Sequence, residues 1–390
     1  LYDLVFLSRS TSERIKTLAP FSLTLFIIPA LVFIQQGKLQ SLDSTMRIIT
    51  AANVSQISRS DYLLTQFRVI IIYIRLLFFP VNQSIDHDVP VYHSLFQPPV
   101  FASLALLLTL ISMAVYLCFV SEKARKYPVL KVLSFGILWF FITLSVESSI
   151  IPLGELIAEY RVYLPSVGMI VAFVSLAVFV ADRYPESKKP IKTIIAVFGT
   201  LALVILSVTT YMRNAVWKDE ITLWENAVKT SPALVRPHQN LGTYYSMRGR
   251  LEDARNELLT ALKLDPNNFE LHNNLGIVFK KLGDYDRAIR EFQTVMAIMP
   301  SDAMVHYNLG NVYLEQGRLQ EAIQEYKTSL KVVPDYDDAH LNLGIAYKRN
   351  GQLSEAVKEF TAAIALNPWN ESAKSNLASS TREMGTAGNK

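Results

Sequence analysis

Residues 269–302 read FELHNNLGIVFKKLGDYDRAIREFQTVMAIMPSD, and segments of the same pattern precede and follow them along the chain. Prolines recur 34 residues apart, at Pro232, Pro266, Pro300, Pro334 and Pro368. Glycines recur at the same interval, at Gly242, Gly276, Gly310 and Gly344. A fixed period of this length is typical of a solenoid, in which each unit buries its apolar face against its neighbours. The pattern therefore predicts a repeat array in the C-terminal part of the chain.

The period is that of the tetratricopeptide repeat (TPR), a pair of antiparallel helices. Counted from Val235, Phe269, Ala303 and Asp337, every unit has a small residue where its two helices cross and a glycine in the turn between them. A large apolar or aromatic residue fills the groove, at Leu258, Phe292, Tyr326 and Phe360. We predict four TPR repeats over 235–370, a connecting half-repeat over 213–234, and a capping helix and tail over 371–390.

The residues upstream of the array are strongly apolar, and hydrophobic residues make up 51% of the whole chain. Apolar runs at about 17–34, 98–120, 130–147, 162–181 and 192–212 each approach the length that spans a bilayer. A shorter run over 63–79 carries Arg68 and Arg75, whose charges are costly inside a membrane, so we expect a re-entrant or interfacial helix there. The sequence thus predicts an all-α chain, in which a polytopic transmembrane helix bundle over 1–212 precedes the α-solenoid.

Basic residues are concentrated in the stretches 1–16, 121–129 and 182–191. Five spans place these stretches on one side of the membrane, as the positive-inside bias requires, whereas six spans do not. We therefore expect an integral membrane protein whose array lies on the exoplasmic side, either a bacterial periplasm or the lumen of the endoplasmic reticulum. Because the chain begins at Leu1 within an apolar stretch, we also expect it to be the C-terminal piece of a longer protein.

Composition narrows the classes of function. The only cysteine, Cys118, cannot form a disulfide framework or a cysteine metal cluster within one chain. The net charge of +4 is dispersed, and there is no basic aromatic patch, so we expect no nucleic-acid partner.

Charged residues between two predicted spans form the first candidate site, comprising Glu147, Glu155, Glu159 and Arg161. A charge at the membrane surface suggests function by default, because an unpaired ion there is costly. Arg161 could bind a phosphate in a bidentate manner. Alternatively, Glu159 and Arg161 pair with each other or with lipid headgroups and only fix the loop.

A second candidate site is the sequence Asp86-His87-Asp88. Two carboxylates that flank a histidine could bind a divalent metal or act as acid and base. The alternative is a solvated turn with no chemistry.

Several stretches together resemble the transmembrane and tetratricopeptide-repeat-containing family. They are YIRLLFFP over 73–80, DHD over 86–88, EYRVYLPSVG over 159–168, WKD over 217–219 and LW over 223–224. The family includes O-mannosyltransferases of the C-type glycosyltransferase superfamily. The resemblance implies a membrane-bound enzyme that uses a dolichyl or polyprenyl phosphate-linked sugar and modifies a polypeptide.

What the resemblance implies about the active site is incomplete. The superfamily's catalytic acidic residues usually lie in the first exoplasmic loop, which would precede Leu1. Arg161 fits the stabilisation of a departing phosphate, while the acidic residues of both candidate sites have no clear role as the base. We therefore expect this chain to hold at most half of an active site.

A row of asparagines suggests how a substrate polypeptide is held. Asn240, Asn274, Asn308, Asn342 and Asn376 each precede a leucine, two residues before the crossing position. Each side chain offers one acceptor and two donors, so the row could hydrogen-bond an extended peptide backbone regardless of its side chains. This resembles the asparagine ladder of a soluble O-linked N-acetylglucosamine transferase. Alternatively, the asparagines only link neighbouring helices, and the protein is a non-catalytic membrane-anchored scaffold.

Overall fold

The computed structural model describes residues 57–81, 83–119, 121, 126–145, 157, 162–183 and 188–387. All regular secondary structure within these residues is helical and forms 15 helices. The prediction of an all-α chain is therefore confirmed. The chain divides into two compact units, one formed by Leu1–Asp219 and Lys229–Ser231, the other by Glu220–Val228 and Pro232–Lys390.

The first unit contains five of the described helices. They are α1 (Arg59–Phe78), α2 (Pro98–Phe119), α3 (Val129–Ser145), α4 (Tyr163–Arg183) and α5 (Lys188–Val216). Within the described residues, three segments are long and apolar enough to cross a membrane: Pro98–Phe119, Tyr163–Asp182 and Ala196–Val216. Helix α3 is also apolar but shorter. The expected span over 17–34 lies outside the described residues, so the total of five spans stays a prediction.

Helices α3 and α4 cross through a pair of glycines. A Cβ atom built on Gly136 would lie 2.4 Å from the carbonyl oxygen of Gly168, and the reverse distance is also 2.4 Å. Small residues at such a crossing allow two apolar helices to approach closely, which is how packing holds helices together in lipid. The Ser134 hydroxyl donates to the carbonyl oxygen of Ala114 at 2.7 Å and joins α3 to α2.

Helix α1 contains the run in which we expected a re-entrant or interfacial helix. Its N-cap is Ser58, whose hydroxyl accepts from the backbone N–H of Asp61. Val69 and Tyr73 are fully buried and pack with Phe140 and Leu144 of α3. The re-entrant or interfacial position of this helix stays a prediction.

The second unit is built from helix pairs. The half-repeat supplies α6 (Glu220–Thr230), of which all but the last two residues belong to this unit. The four repeats follow as α7 (Val235–Met247) with α8 (Leu251–Leu264), α9 (Phe269–Lys281) with α10 (Tyr285–Ile298), α11 (Ala303–Glu315) with α12 (Leu319–Val332), and α13 (Asp337–Arg349) with α14 (Leu353–Leu366). Helix α15 (Glu371–Ala387) ends the unit. The first helix of each repeat begins at the residue from which its unit was counted in the sequence.

Each repeat is closed by contact between a glycine and a large side chain. A Cβ atom on Gly276 would lie 2.6 Å from the Phe292 ring, and one on Gly310 would lie 2.7 Å from the Tyr326 ring. Real Cβ atoms do not approach other atoms this closely, so only glycine fits against these fully buried rings. The turn glycines serve a different purpose, since all four adopt positive φ angles, for example 77° at Gly283.

A histidine and a glutamate join the two helices of every repeat, a pairing that we did not infer from the sequence. The Nδ1 atom of His306 lies 2.7 Å from Glu325 Oε2, and its Nε2 atom lies 3.4 Å from the carbonyl oxygen of Pro300. The same contacts recur for His238 with Glu257, His272 with Glu291, and His340 with Glu359. The histidine therefore fixes the first helix both to the second helix and to the proline turn before it.

The half-repeat extends this packing before the first full repeat. Trp224 is 7% exposed, and the Arg236 guanidinium lies 5.8 Å from its ring centroid. The Tyr245 hydroxyl donates to Glu225 Oε1 at 2.7 Å, and burial together with this bond raises the pKa of Tyr245 to about 12.

We predict that Gly276→Ala destabilises the second unit by about 1–3 kcal/mol, because the added methyl group must displace the buried Phe292 ring. Gly385→Ala is the matched control, since a Cβ at this helical position has nothing within 4 Å. It should be neutral or stabilise the unit by up to about 1 kcal/mol. Urea unfolding of the fragment 216–390 measures both changes. Equal stability of the two variants would contradict the packing argument.

We predict that Trp224→Ala costs the same fragment about 3–5 kcal/mol of unfolding free energy, as expected for a buried indole ring. Trp369, which is 86% exposed, provides the control, and Trp369→Ala should change stability by less than about 0.5 kcal/mol. Thermal unfolding followed by circular dichroism distinguishes the two. An unchanged transition in Trp224→Ala would mean that the half-repeat adds nothing to the core.

Candidate functional site

The first candidate site falls outside the described residues, because Glu147, Glu155, Glu159 and Arg161 are not among them. Two described residues close to them in the sequence are buried. Ile157 and Val162 are 3% and 6% exposed and belong to the same apolar cluster as Tyr73 of α1 and Phe140 of α3. The roles of the four charged residues stay predictions.

The second candidate site lies in the loop after α1. The Asp86 main chain is held on both sides, since its N–H donates to Ser84 Oγ at 3.3 Å and its carbonyl oxygen accepts from Ser231 Oγ at 2.9 Å. His87 is half-buried, and the adjacent Asp88 is exposed. Within the described residues, no three His, Cys, Asp or Glu side chains lie close enough together to hold a metal ion.

The structure shows a contact between α1 and the following loop that we did not predict from the sequence. His93 Nδ1 lies 2.9 Å from Asp61 Oδ2, and the backbone N–H of Tyr92 donates to Thr65 Oγ1 at 3.0 Å. Hydrogen bonds from His93 and then Ser58 lower the pKa of Asp61. Thr65 and Tyr92 are 27 positions apart in the sequence, so no local sequence pattern indicates that the helix and the loop are in contact here.

The asparagine row of the array lies wholly within the described residues, and its members differ in their hydrogen bonds. Asn308 Nδ2 donates to Asn273 Oδ1 at 3.0 Å. Asn342 Nδ2 donates to Tyr307 OH at 3.2 Å and to Asn311 Oδ1 at 2.8 Å. Asn376 Nδ2 donates to the carbonyl oxygen of Ser372 in its own helix at 2.9 Å.

The first two asparagines of the row differ from the other three in their side-chain hydrogen bonds. Asn240 and Asn274 are half-buried, and neither side chain makes a hydrogen bond to another described residue. Since an asparagine amide has two N–H donors, Asn308 keeps one for a ligand, while the two contacts of Asn342 use both. The capacity to bind both the N–H and the C=O of a peptide group therefore falls from the first repeats towards the fourth.

The contacts of Asn342 depend on a buried hydroxyl group. Tyr326 is fully buried, and its hydroxyl donates to Asn311 Oδ1 at 2.6 Å, the same oxygen that accepts from Asn342. Burial raises the pKa of Tyr326 far above its usual range, so the hydroxyl keeps its proton and acts as a donor. The ring of Tyr307 lies beside this network, with its centroid 4.9 Å from that of Tyr336.

Basic residues on the first helices make contacts between repeats. Lys281 Nζ donates to the carbonyl oxygen of Ser246 at 3.1 Å, and Arg349 Nη1 donates to that of Leu314 at 3.3 Å. Both bonds join residues 35 positions apart and so connect consecutive repeats. They give a further donor to carbonyl groups at the C-terminal end of the preceding first helix, which also accept from the N–H of the turn glycines Gly249 and Gly317.

Comparison with known protein families confirms the prediction of tetratricopeptide repeats. A family model described as "TPR repeat" matches residues 244–283, 278–317 and 310–351, and a second, "Tetratricopeptide repeat", matches 337–368. Among solved structures, a crystal structure of MamA is 28% identical and covers 38% of this chain and 86% of that chain, with a TM-score of 0.35.

Part of the chain is similar to two curated relatives that are named O-mannosyl-transferases. It is 32% identical over 110 residues to "Protein O-mannosyl-transferase Tmtc2" of Drosophila melanogaster, which is 28% of this chain and 11% of that protein. It is 31% identical over 112 residues to "Protein O-mannosyl-transferase tmtc2" of Xenopus laevis, or 28% and 13% of the two lengths. The chain thus matches only about a tenth of these relatives. It carries tetratricopeptide repeats after a series of apolar helices, and it is similar over part of its length to the Tmtc O-mannosyl-transferases.

Proposed function

We propose that this chain is part of a membrane-bound glycosyltransferase whose repeat array binds the acceptor polypeptide. The sugar donor in this proposal is a polyprenyl or dolichyl phosphate-linked sugar, held at the membrane surface. Two features support it together: the similarity to proteins named O-mannosyl-transferase, and the presence of membrane-length apolar helices and a repeat array on one chain.

The proposed binding of the acceptor polypeptide rests on amide groups of the asparagine row that make no hydrogen bond within the array. Asn240 and Asn274 offer both donors and an acceptor, and Asn308 offers one donor and an acceptor. Groups spaced at one repeat can bond a peptide backbone without reading its side chains, which suits an enzyme that modifies many polypeptides.

The donor side of the proposal rests on the charged residues next to the predicted spans. Arg161 is the candidate that stabilises the departing phosphate, with Glu159, Glu155 and Glu147 beside it in sequence. The loop Asp86, His87 and Asp88 is the second candidate for donor binding, with or without a divalent metal. We assign no catalytic base within this chain.

A non-catalytic scaffold is the second candidate function. Tetratricopeptide repeats account for the family-model matches, whereas the similarity to the named transferases covers a small part of each relative. A scaffold selects its partner through side-chain pockets, because a uniform row of amides supplies no specificity. The range of peptides that the array accepts therefore separates the two functions.

We predict that the whole chain, purified in detergent, binds unstructured peptides of unrelated sequence with similar affinity. Replacing Asn240, Asn274 and Asn308 together with alanine should weaken binding roughly tenfold to a thousandfold, since each backbone hydrogen bond contributes about 0.5–1.5 kcal/mol. Fluorescence anisotropy of labelled peptides measures both properties.

The matched control replaces three exposed amides of the second helices, Asn256, Gln293 and Gln324, with alanine, and it should leave affinity unchanged. Equal binding by the asparagine variant and the control would remove the ladder from the proposal. Tight binding of one peptide sequence only would favour the scaffold.

We predict that the array lies on the exoplasmic side of the membrane. In a Cys118→Ser background, a cysteine at the exposed position Ser354 should react with a membrane-impermeant thiol reagent added to intact cells. A cysteine at Ser187 should react only after the membrane is permeabilised, since it belongs to a basic stretch assigned to the opposite side. The reverse labelling pattern would contradict the five-span topology.

A further inference from the structure

Repeat 3 differs from its neighbours by two polar residues that contact each other. At the position of Asn311, repeats 2 and 4 have Ile277 and Ile345. At the position of Tyr326, the same repeats have Phe292 and Phe360. The structure joins these two exceptions, because Tyr326 OH donates to Asn311 Oδ1 at 2.6 Å.

The ring of Tyr326 packs as the phenylalanines do. A Cβ atom on Gly310 would lie 2.7 Å from the Tyr326 ring, and one on Gly344 would lie 2.6 Å from the Phe360 ring. Both rings are fully buried. The hydroxyl group is thus an addition to an otherwise standard core, and a buried hydroxyl needs a hydrogen-bond partner. Asn311 supplies that partner, and the bond holds the amide of Asn311 in one orientation.

The amide oxygen of Asn311 then accepts a hydrogen bond from a member of the asparagine row. Asn311 Oδ1 accepts from Asn342 Nδ2 at 2.8 Å, while the second contact of Asn342 goes to Tyr307 OH at 3.2 Å. Asn342 therefore has no amide hydrogen left for a peptide carbonyl. Where the corresponding residue is an isoleucine, as at Ile277 beside Asn308, the asparagine contacts only one neighbour, Asn273.

We infer that Asn311 and Tyr326 interrupt the backbone-reading row at Asn342: the acceptor polypeptide is held from both its N–H and C=O groups by Asn240, Asn274 and Asn308, but not by Asn342. This inference rests on the proposed function, since it concerns the same peptide site. Asn311 and Tyr326 are positioning residues, because they act through Asn342 and do not touch the peptide.

The test is a cycle of variants in the whole chain in detergent. Asn311→Ile combined with Tyr326→Phe gives repeat 3 the pair found in repeats 2 and 4, so the core that it creates already exists twice in this protein. Asn342→Ala is then made in the original and in the double-variant background. The probe is a fluorescein-labelled, unstructured Ser/Thr/Ala peptide, and its dissociation constant is measured for all four proteins.

We expect the double variant to bind the peptide roughly two- to tenfold more tightly, the effect of one additional hydrogen bond. Asn342→Ala should cost more affinity in the double variant than in the original chain, by the same factor. A merely structural role for Asn311 and Tyr326 would change unfolding but leave the cost of Asn342→Ala equal in the two backgrounds.

Equal costs would overturn the inference while leaving the proposed function intact, provided that the original chain binds the peptide and loses it when Asn240, Asn274 and Asn308 are replaced. Failure of the original chain to bind any unstructured peptide would overturn the proposed function and this inference together. Thermal unfolding of the single variants provides a check of the network. Asn311→Ile alone should be less stable than the double variant, because it leaves the buried Tyr326 hydroxyl without its acceptor.

Discussion

The array depends on one steric constraint, the absence of a side chain where the two helices of a repeat cross. At Gly276 and Gly310 the space of a methyl group is taken by a ring from the second helix. The ring is fully buried there, and it sets the distance between the two helices. Because the contact recurs in all four repeats, each pair presents its first helix in the same register. The evenly spaced asparagines are a consequence of that register.

Much of this arrangement could be predicted from the sequence, because glycine and proline at a fixed period have few structural explanations. The positions of Gly276, Phe292 and Pro266 are sufficient to place both helices of a repeat and the turn between repeats. The hydrogen bonds of the asparagine row could not be predicted in the same way. Sequence gives the position of Asn342, but its partners depend on residues 31 and 35 positions earlier in a neighbouring helix.

The first unit follows a different balance of forces. In lipid, burial of apolar side chains gives no gain over contact with the lipid tails, so close packing and hydrogen bonds must hold the helices together. Gly136, Gly168 and the bond from Ser134 to Ala114 provide both. The apolar runs predicted the helices, but not these contacts, since glycine and serine in an apolar run have no periodicity of their own. The charged loop residues proposed to bind the donor remain a hypothesis from the sequence.

The histidine–glutamate pairs separate two kinds of polar contact in the array. Among the described residues, the His272 ring bonds to Glu291 and to the proline turn of the preceding segment, so this network closes within a length of chain shorter than one period. Contacts such as Asn308 with Asn273 connect one period to the next. Unequal duplication of a gene segment could therefore add or remove a whole repeat without breaking the first network. The length of the array is then open to change in steps of one repeat, while the fold of each repeat stays the same.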